Sequence, residues 1–274
     1  MANITAIVLT KNEEKNIVKC INNLKRFCKD ILIIDSYSTD KTLELCEKLK
    51  VKVVQRKFID HSEQFNWALE NSNINTEWII RVDADEEFTD ELINEIKEKI
   101  DNIPNNVSGI VLKARVYFMG KWIKHGGIYP LHLLRLFRTG SAYSEKREMD
   151  EHIVVKYGEI IKFNNDFINN SNNTLTQWID KHNWYSNKEL KAYLNRNNDL
   201  STLADKQNMK RRWLKNKVFY KIPLFTRAKL YYLYRYYIKL GFLDGQEGKI
   251  FHFLQAYWYR FLVDSKIYEK KVKN

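Results

Sequence analysis

The 274-residue sequence predicts an α/β fold: a mixed, mainly parallel sheet flanked by helices, followed by a helical C-terminal extension. Three observations predict it. Short aliphatic runs alternate with helix-period segments through residues 1–100, the pattern of βαβ units on a parallel sheet. Polar clusters (TKNEE, DSYSTD and DADEE) close the first, second and fourth of those runs, and open parallel sheets collect ligands at the carboxyl ends of their strands. Finally, residues 211–274 hold 15 Lys and Arg against 4 Asp and Glu, a difference of +11, so nearly all of the net charge of +12 sits in the tail.

In order, ITAIVLT (4–10) reads as a buried strand, and Ile17, Ile21, Leu24 and Cys28 form the stripe of the helix after it. DILIID (30–35) is a second strand, with a helix at TLELCEKLK, and VKVVQR (51–56) is a third. SEQFNWALENS (62–72) is a helix opened by Ser62, EWIIRV (77–82) the fourth strand, and DELINEIKEKI (90–100) an amphipathic helix. SGIVLKARVYFMG (108–120) and HLLRLFRTG (132–140) are longer strands, and EHIVVKYGEIIKF (151–163) reads as a hairpin around Tyr157–Gly158. QWIDKHNWYSNKELKAYL (177–194) is a helix joining a domain of about 1–170 to an extension of 171–274.

Composition excludes several classes. Cys20, Cys28 and Cys46 have no metal-ligand spacing and read as small apolar fillers in a reducing compartment. No run of about 18 uncharged apolar residues exists to span a membrane, and the N-terminus lacks signal-peptide features. The expected location is the cytoplasm. No G-x-G-x-x-G or P-loop signature occurs.

In IIRVDADEEF (79–88), buried aliphatics run into four acids. While the chain stays extended, Asp83 and Asp85 leave the same face and repel. A hard divalent ion such as Mn²⁺ or Mg²⁺, which takes a few carboxylates plus phosphate oxygens, removes the conflict. Glu86 and Glu87 are accounted for as acids preceding a helix that starts near Thr89 or Asp90.

The order TKNEE, DSYSTDKT, FIDHSEQFNWAL, WIIRVDADEEF resembles the inverting glycosyltransferases of family 2, which have a GT-A fold. The likeness continues through YFMGKWIKHGGIYPLHLLRLFRTG and EMDEHI, weakens toward GFLDGQEG (241–248), and is nearest to the branch with bacterial lipopolysaccharide-core β-glucosyltransferases. The resemblance implies a nucleotide-sugar donor, UDP-linked, and a saccharide or lipid-linked acceptor. It places Thr10, Asn12, Glu13, Asp35, Gln64, Asn66 and Asp83 around the nucleotide. Asp85, with Asp83, would hold the metal, and Glu151, with Asp150 second, would be the base. Many relatives carry a basic residue where this chain has Phe65, so Arg81 or a later arginine would take over its phosphate contact. Arg135 and Arg138, three apart on one strand, point to opposite faces; one is expected at the diphosphate and the other in solvent. Trp122 and His125 are candidates for sugar contact.

The tail interleaves its basic residues with aromatics, as in LYYLYRYYIKLGF, which suits helices lying in a headgroup layer of anionic lipid. Packing on the catalytic domain or a homo-oligomer contact is the competing expectation, and nucleic acid is not expected as a partner. A nucleotidyltransferase would need a Gly-rich basic loop near the first strand, which TKNEE is not. A non-catalytic adaptor would leave the three strand-end clusters unexplained.

Overall fold

The computed structural model describes residues 1–147, 151–170, 174–195, 213–214 and 218–273. The chain separates into two compact units. One holds Met1–Tyr117, Pro130–Arg147 and Glu151–Asn172; the other holds Phe118–Tyr129 and the described residues of 173–274.

The first unit begins with β1 (Ala2–Thr10), α1 (Ile17–Leu24), β2 (Cys28–Asp35), α2 (Thr42–Lys48), β3 (Lys52–Gln55), α3 (His61–Asn71) and β4 (Trp78–Asp83). It continues with β5 (Glu86–Phe88), α4 (Asp90–Lys99) and β6 (Val107–Phe118), the last residue of β6 lying in the second unit. The second unit contributes β7 (Lys121–Trp122), after which β8 (Leu131–Arg138), β9 (Ala142–Ser144), β10 (Ile153–Val155) and β11 (Glu159–Asn170) complete the first. The main sheet runs β3-β2-β1-β4-β8-β6-β11-β5. β1, β2, β3 and β4 are parallel, β8 is antiparallel to both β4 and β6, and β11 returns parallel to β6.

The aliphatic runs fill both faces of this sheet. Ile4, Ala6, Val8, Ile80 and Val82 pack with α1 and α4 on one side. Ile7, Leu9, Ile34 and Ile79 pack with Phe65 and Ala68 of α3 on the other. Phe65 is fully buried and meets Phe137 edge-on at 6.2 Å, a packing position. All three cysteines are buried and unbridged.

Four local expectations are corrected. Cys28 does not continue the α1 stripe but opens β2. Asp60, not Ser62, caps α3, its Oδ1 accepting from the Glu63 N–H at 2.8 Å. The segment 151–163 is no hairpin: β10 pairs with β9 in a separate two-stranded sheet, while β11 joins the main sheet beside β6. Gly158 makes that switch at φ +82, where a Cβ would sit 2.2 Å from Ser108 Oγ. The short β5 also intervenes before α4, which Thr89 caps.

The second unit contains α5 (Leu175–Leu194), α6 (Thr226–Leu233), α7 (Gly245–His252) and α8 (Tyr259–Val272), with π-helical turns at Tyr234–Ile238 and Phe253–Trp258. Tyr193, Tyr259, Val263 and Ile267 form its small core, so part of the tail's aromatic content is packing. Buried ion pairs tie the helices. Arg227 pairs with Asp264, both 1% exposed, while Asp264 Oδ2 also accepts from the Phe225 N–H at 2.7 Å. Glu189 accepts from Tyr259 Oη at 2.7 Å and from Arg260 at 2.6 Å.

His252 is fully buried and presses on two glycines: a Cβ at Gly126 would lie 2.0 Å from its Cε1 and one at Gly241 2.6 Å from its Cδ2. Burial, with Arg235 nearby, pulls the imidazole down to about 4. Native His252 is therefore neutral where an unfolded histidine, at about 6.5, takes a proton. Its contribution to stability is complete above about pH 6.5 and is lost as pH falls toward 4, by up to about 3 kcal/mol. His182, lowered to about 4 by burial, acts in the same direction. Denaturant titrations between pH 7 and 4.5 should show this loss, and His252→Gln should flatten part of it; a pH-independent midpoint would overturn it.

Candidate active site

The parallel register brings the three polar clusters to one edge. Thr10 pairs with Asp35 across β1 and β2, and Leu9 with Asp83 across β1 and β4. TKNEE, DSYSTD and DADEE thus lie side by side at the carboxyl ends of three adjacent strands.

The first two clusters are stitched together. Asp35 is fully buried and accepts from Thr10 Oγ1 at 3.1 Å, the Ser38 N–H at 2.8 Å and Gln55 Nε2 at 3.3 Å. Asn12, at φ +56, accepts from the Thr39 N–H and donates its own N–H to Ser38 Oγ, both at 2.8 Å. Glu13 donates its N–H to Thr42 Oγ1 at 2.8 Å and accepts from Asn16 Nδ2 at 2.8 Å, anchoring both following helices. Two adjacent strand-end loops are locked to each other by side chains, as a preformed binding edge requires.

Gln64 and Asn66 of α3 are both bonded to neighbouring elements. Gln64, 1% exposed, donates to Ser36 Oγ at 2.8 Å and to Ile34 O at 3.3 Å. Asn66 clamps β9 with two bonds to the backbone of Ser144, each 2.8 Å.

The third cluster carries the charge. The chain does not stay extended through it: Ala84 and Asp85 form a turn, so Asp85 sits at the tip between β4 and β5, where the Asn170 N–H donates to its carbonyl at 3.2 Å. Glu86 is not a solvated acid ahead of a helix. Its side chain is 0% exposed; it accepts from Arg135 and, at 3.0 Å, from the Asp83 N–H. Glu87 does face outward, paired with Lys19 at 2.6 Å. Arg135 Nη2 also donates to Asp83 Oδ2 at 3.0 Å, and Arg81 Nε approaches Asp83 Oδ1 at 4.0 Å. Nε of both arginines finds no hydrogen-bond partner among the described residues.

Desolvation opposes the charge on Asp83, but Arg135, then Arg81 and His61, outweigh it and hold the carboxyl well below the usual range. Burial pushes Glu86 the other way, up to about 8, with Arg135 opposing and Asp83 adding to the rise. One guanidinium serving two carboxylates keeps the half-buried one, Asp83, ionised. Glu86 and His61 were missed from sequence. An acid ahead of a helix is ordinarily solvated, and the one signal for Glu86 was its position three residues after Asp83.

Arg138 is corrected. It pairs with Trp78 at the amino end of β4, away from the acids. It donates to the carbonyls of Val107 at 2.8 Å and Ile103 at 3.0 Å, pairs with Glu77, and lies over the Trp78 ring at 4.5 Å. It is neither a solvated charge nor near the strand-end edge. Glu151, half-buried, leads into β10 and acts electrostatically on Arg81. Asp150 lies outside the described residues.

Among the described residues, no three His, Cys, Asp or Glu side chains form a closed metal cage. Asp83, held ionised, and Asp85 on the turn are the carboxylates that would serve an open site shared with phosphate oxygens and water.

Comparison with known proteins gives the family. The family model Glycosyl transferase family 2 matches residues 5–226. An uncharacterized glycosyltransferase of Rickettsia conorii is 25% identical over 99% of this chain and 92% of its own length. A lipopolysaccharide core biosynthesis glycosyltransferase of Rhizobium meliloti is 27% identical over 55% of this chain and 57% of its own. Among solved structures, S. aureus TarS 1-349 in complex with UDP-GlcNAc is 15% identical, covering 99% of this chain and 92% of that one, with a TM-score of 0.48. On a family match spanning most of its length, and with a mixed, mainly parallel sheet flanked by helices, this chain belongs to glycosyltransferase family 2.

Proposed function

We propose that the protein is an inverting, metal-dependent glycosyltransferase. It moves a hexosyl group from a UDP-sugar to a saccharide or lipid-linked acceptor in bacterial surface-polysaccharide synthesis, working at an anionic membrane surface. The observation that carries this reading is the Arg135–Asp83–Glu86 network at the carboxyl end of β4. It holds an ionised carboxylate and two incompletely bonded guanidiniums at one strand-end edge, a combination suited to a metal-bound diphosphate.

The loop pair built on Asn12, Glu13 and Asp35 receives the nucleoside. Asp35 orients the base by exchanging one of its internal hydrogen bonds, and Thr10 keeps that carboxylate in place. Asp85 and Asp83 would hold Mn²⁺ or Mg²⁺, which when bound offsets charge on the diphosphate. Arg81 and Arg135 add positive charge on the same side. Glu151 takes the proton of the acceptor hydroxyl as its oxygen attacks the anomeric carbon. The bond from that carbon to the diphosphate oxygen breaks with its electron pair, nucleoside diphosphate leaves, and the anomeric configuration inverts.

Thermal melts with a panel of nucleotides test the donor site. UDP with Mn²⁺ should raise the midpoint through linkage, and Asp85→Ala should remove the rise while leaving the unliganded midpoint nearly unchanged. If no nucleotide moves the midpoint of folded wild type, the donor-site assignment fails.

A further inference from the structure

The helix α6 and the turns that follow it are inside out. Along 226–238 the buried positions are Arg227, Ala228 and Arg235. Both arginines are bonded within the protein, Arg227 to Asp264 and Arg235 to Gly126 O at 2.8 Å and to Gln255, with Arg235 Nη2 buried and without a hydrogen-bond partner among the described residues. The outward positions are Leu230, Leu233, Tyr234, Tyr237 and Ile238, all exposed, with Ile238 at 72%. Their spacing of i, i+3, i+4, i+7 and i+8 is the stripe that normally faces a core. The chain then turns through Leu240, held left-handed at φ +59, and presents Leu240, Phe242 and Leu243 as well, Leu243 at 54% exposure. Scattered apolar side chains on a surface need no explanation; a contiguous helical stripe continued by a turn marks a contact surface.

The charge around the stripe selects the partner. Residues 221–243 contain five Lys and Arg and no Asp or Glu. With Arg227 and Arg235 turned inward, the exposed charges are Lys221, Lys229 and Lys239. A second copy of this chain would set lysines against lysines around the same stripe. An anionic bilayer offers a medium for the apolar side chains and opposite charge for the ammonium groups. The run from Thr226 to Ile238 is about 20 Å long at helical rise, short of the roughly 30 Å hydrocarbon layer. Among the described residues, no helix is long and apolar enough to cross a membrane.

We propose that 230–243 is the element with which the protein seats itself in anionic lipid: the helix lies in the headgroup plane, Ile238, Phe242 and Leu243 enter the acyl boundary, and Lys229 and Lys239 meet lipid phosphate. The proposal rests on the reading that the chain works at a membrane surface and names the residues that engage it.

The test is sedimentation of the full chain with vesicles of phosphatidylethanolamine and phosphatidylglycerol, against vesicles of phosphatidylcholine alone. Wild type should pellet with the first and stay largely free with the second. Ile238→Asp/Leu243→Asp should remove pelleting, and Lys229→Glu/Lys239→Glu should weaken it by roughly tenfold or more. Each variant is first checked for its melting midpoint and for its UDP-dependent shift. An unchanged shift shows that the donor reading stands whichever way the lipid result falls. As a second readout, an environment-sensitive dye on Ile238→Cys should move to the blue on anionic vesicles. Wild-type protein that ignores anionic vesicles, or variants that pellet like wild type, would overturn the proposal. So would light scattering that shows a wild-type dimer turned to monomer by Ile238→Asp/Leu243→Asp, which would give the stripe to a second copy.

Discussion

Replacing Arg135 with methionine lowers the unfolding free energy by about 3–5 kcal/mol and abolishes donor binding. Methionine matches the guanidinium's aliphatic stem but carries no charge. Glu86, whose 0% exposed carboxyl is already pushed up to about 8, then rises further, keeps only the Asp83 N–H at 3.0 Å and loses the donor that Arg135 supplied in the interior. Asp83 loses the partner that contributes most to holding it ionised, so the strand-end edge loses negative charge where a metal would be held. The double variant Arg135→Met/Glu86→Gln should recover part of the stability, because the amide stays neutral at every pH and still accepts from the Asp83 N–H, yet it should not recover donor binding. Denaturant titration and UDP-dependent melting measure the two quantities separately. A stability loss below about 1 kcal/mol, the range of a surface ion pair, would contradict the buried network.

What sequence could and could not show follows from the physics of each element. β1, β2 and β4 are buried on both faces, so their aliphatic runs stand out without any knowledge of neighbours. The strand-end clusters were legible for the same reason, since a polar cluster after a buried run has few other places to go. β5 was not: three residues, Glu-Glu-Phe, carry no period, and its pairing with β11 reaches from Phe88 to Phe167. The same holds for β10 and β11, which adjoin in sequence but enter different sheets. Spacing predicts opposite faces for Arg135 and Arg138, but register alone shows which end of β4 each one reaches. In the tail the helical period of LYYLYRYYI was plain, whereas the direction of its apolar stripe was not. Two arginines on the inner face, bonded to Asp264 and Gly126 from distant segments, turned that stripe outward.

Glu151→Gln should lower kcat by about 10²–10⁴-fold, the range general-base catalysis supplies, while leaving the UDP-dependent melting shift intact. The amide keeps the shape of the carboxylate and its acceptor oxygen but cannot take the hydroxyl proton. Glu151 has a separate place in the proposed site: it leads into β10, half-buried, and its charge acts on Arg81. Asp85→Asn should behave in the opposite way, losing the donor shift together with turnover, because the proposed metal site takes Asp85, on the β4–β5 turn, as a carboxylate donor. Release of nucleoside diphosphate from the UDP-sugar reports turnover in both cases, and comparing it with the melting shift separates failure to bind from failure to react. A Glu151→Gln protein that turns over like wild type would transfer the base role to Asp150, and Asp150→Asn would then carry the loss. If both Asp150 and Glu151 can be neutralised without loss, neither takes the proton, and the acceptor must lose it to another group.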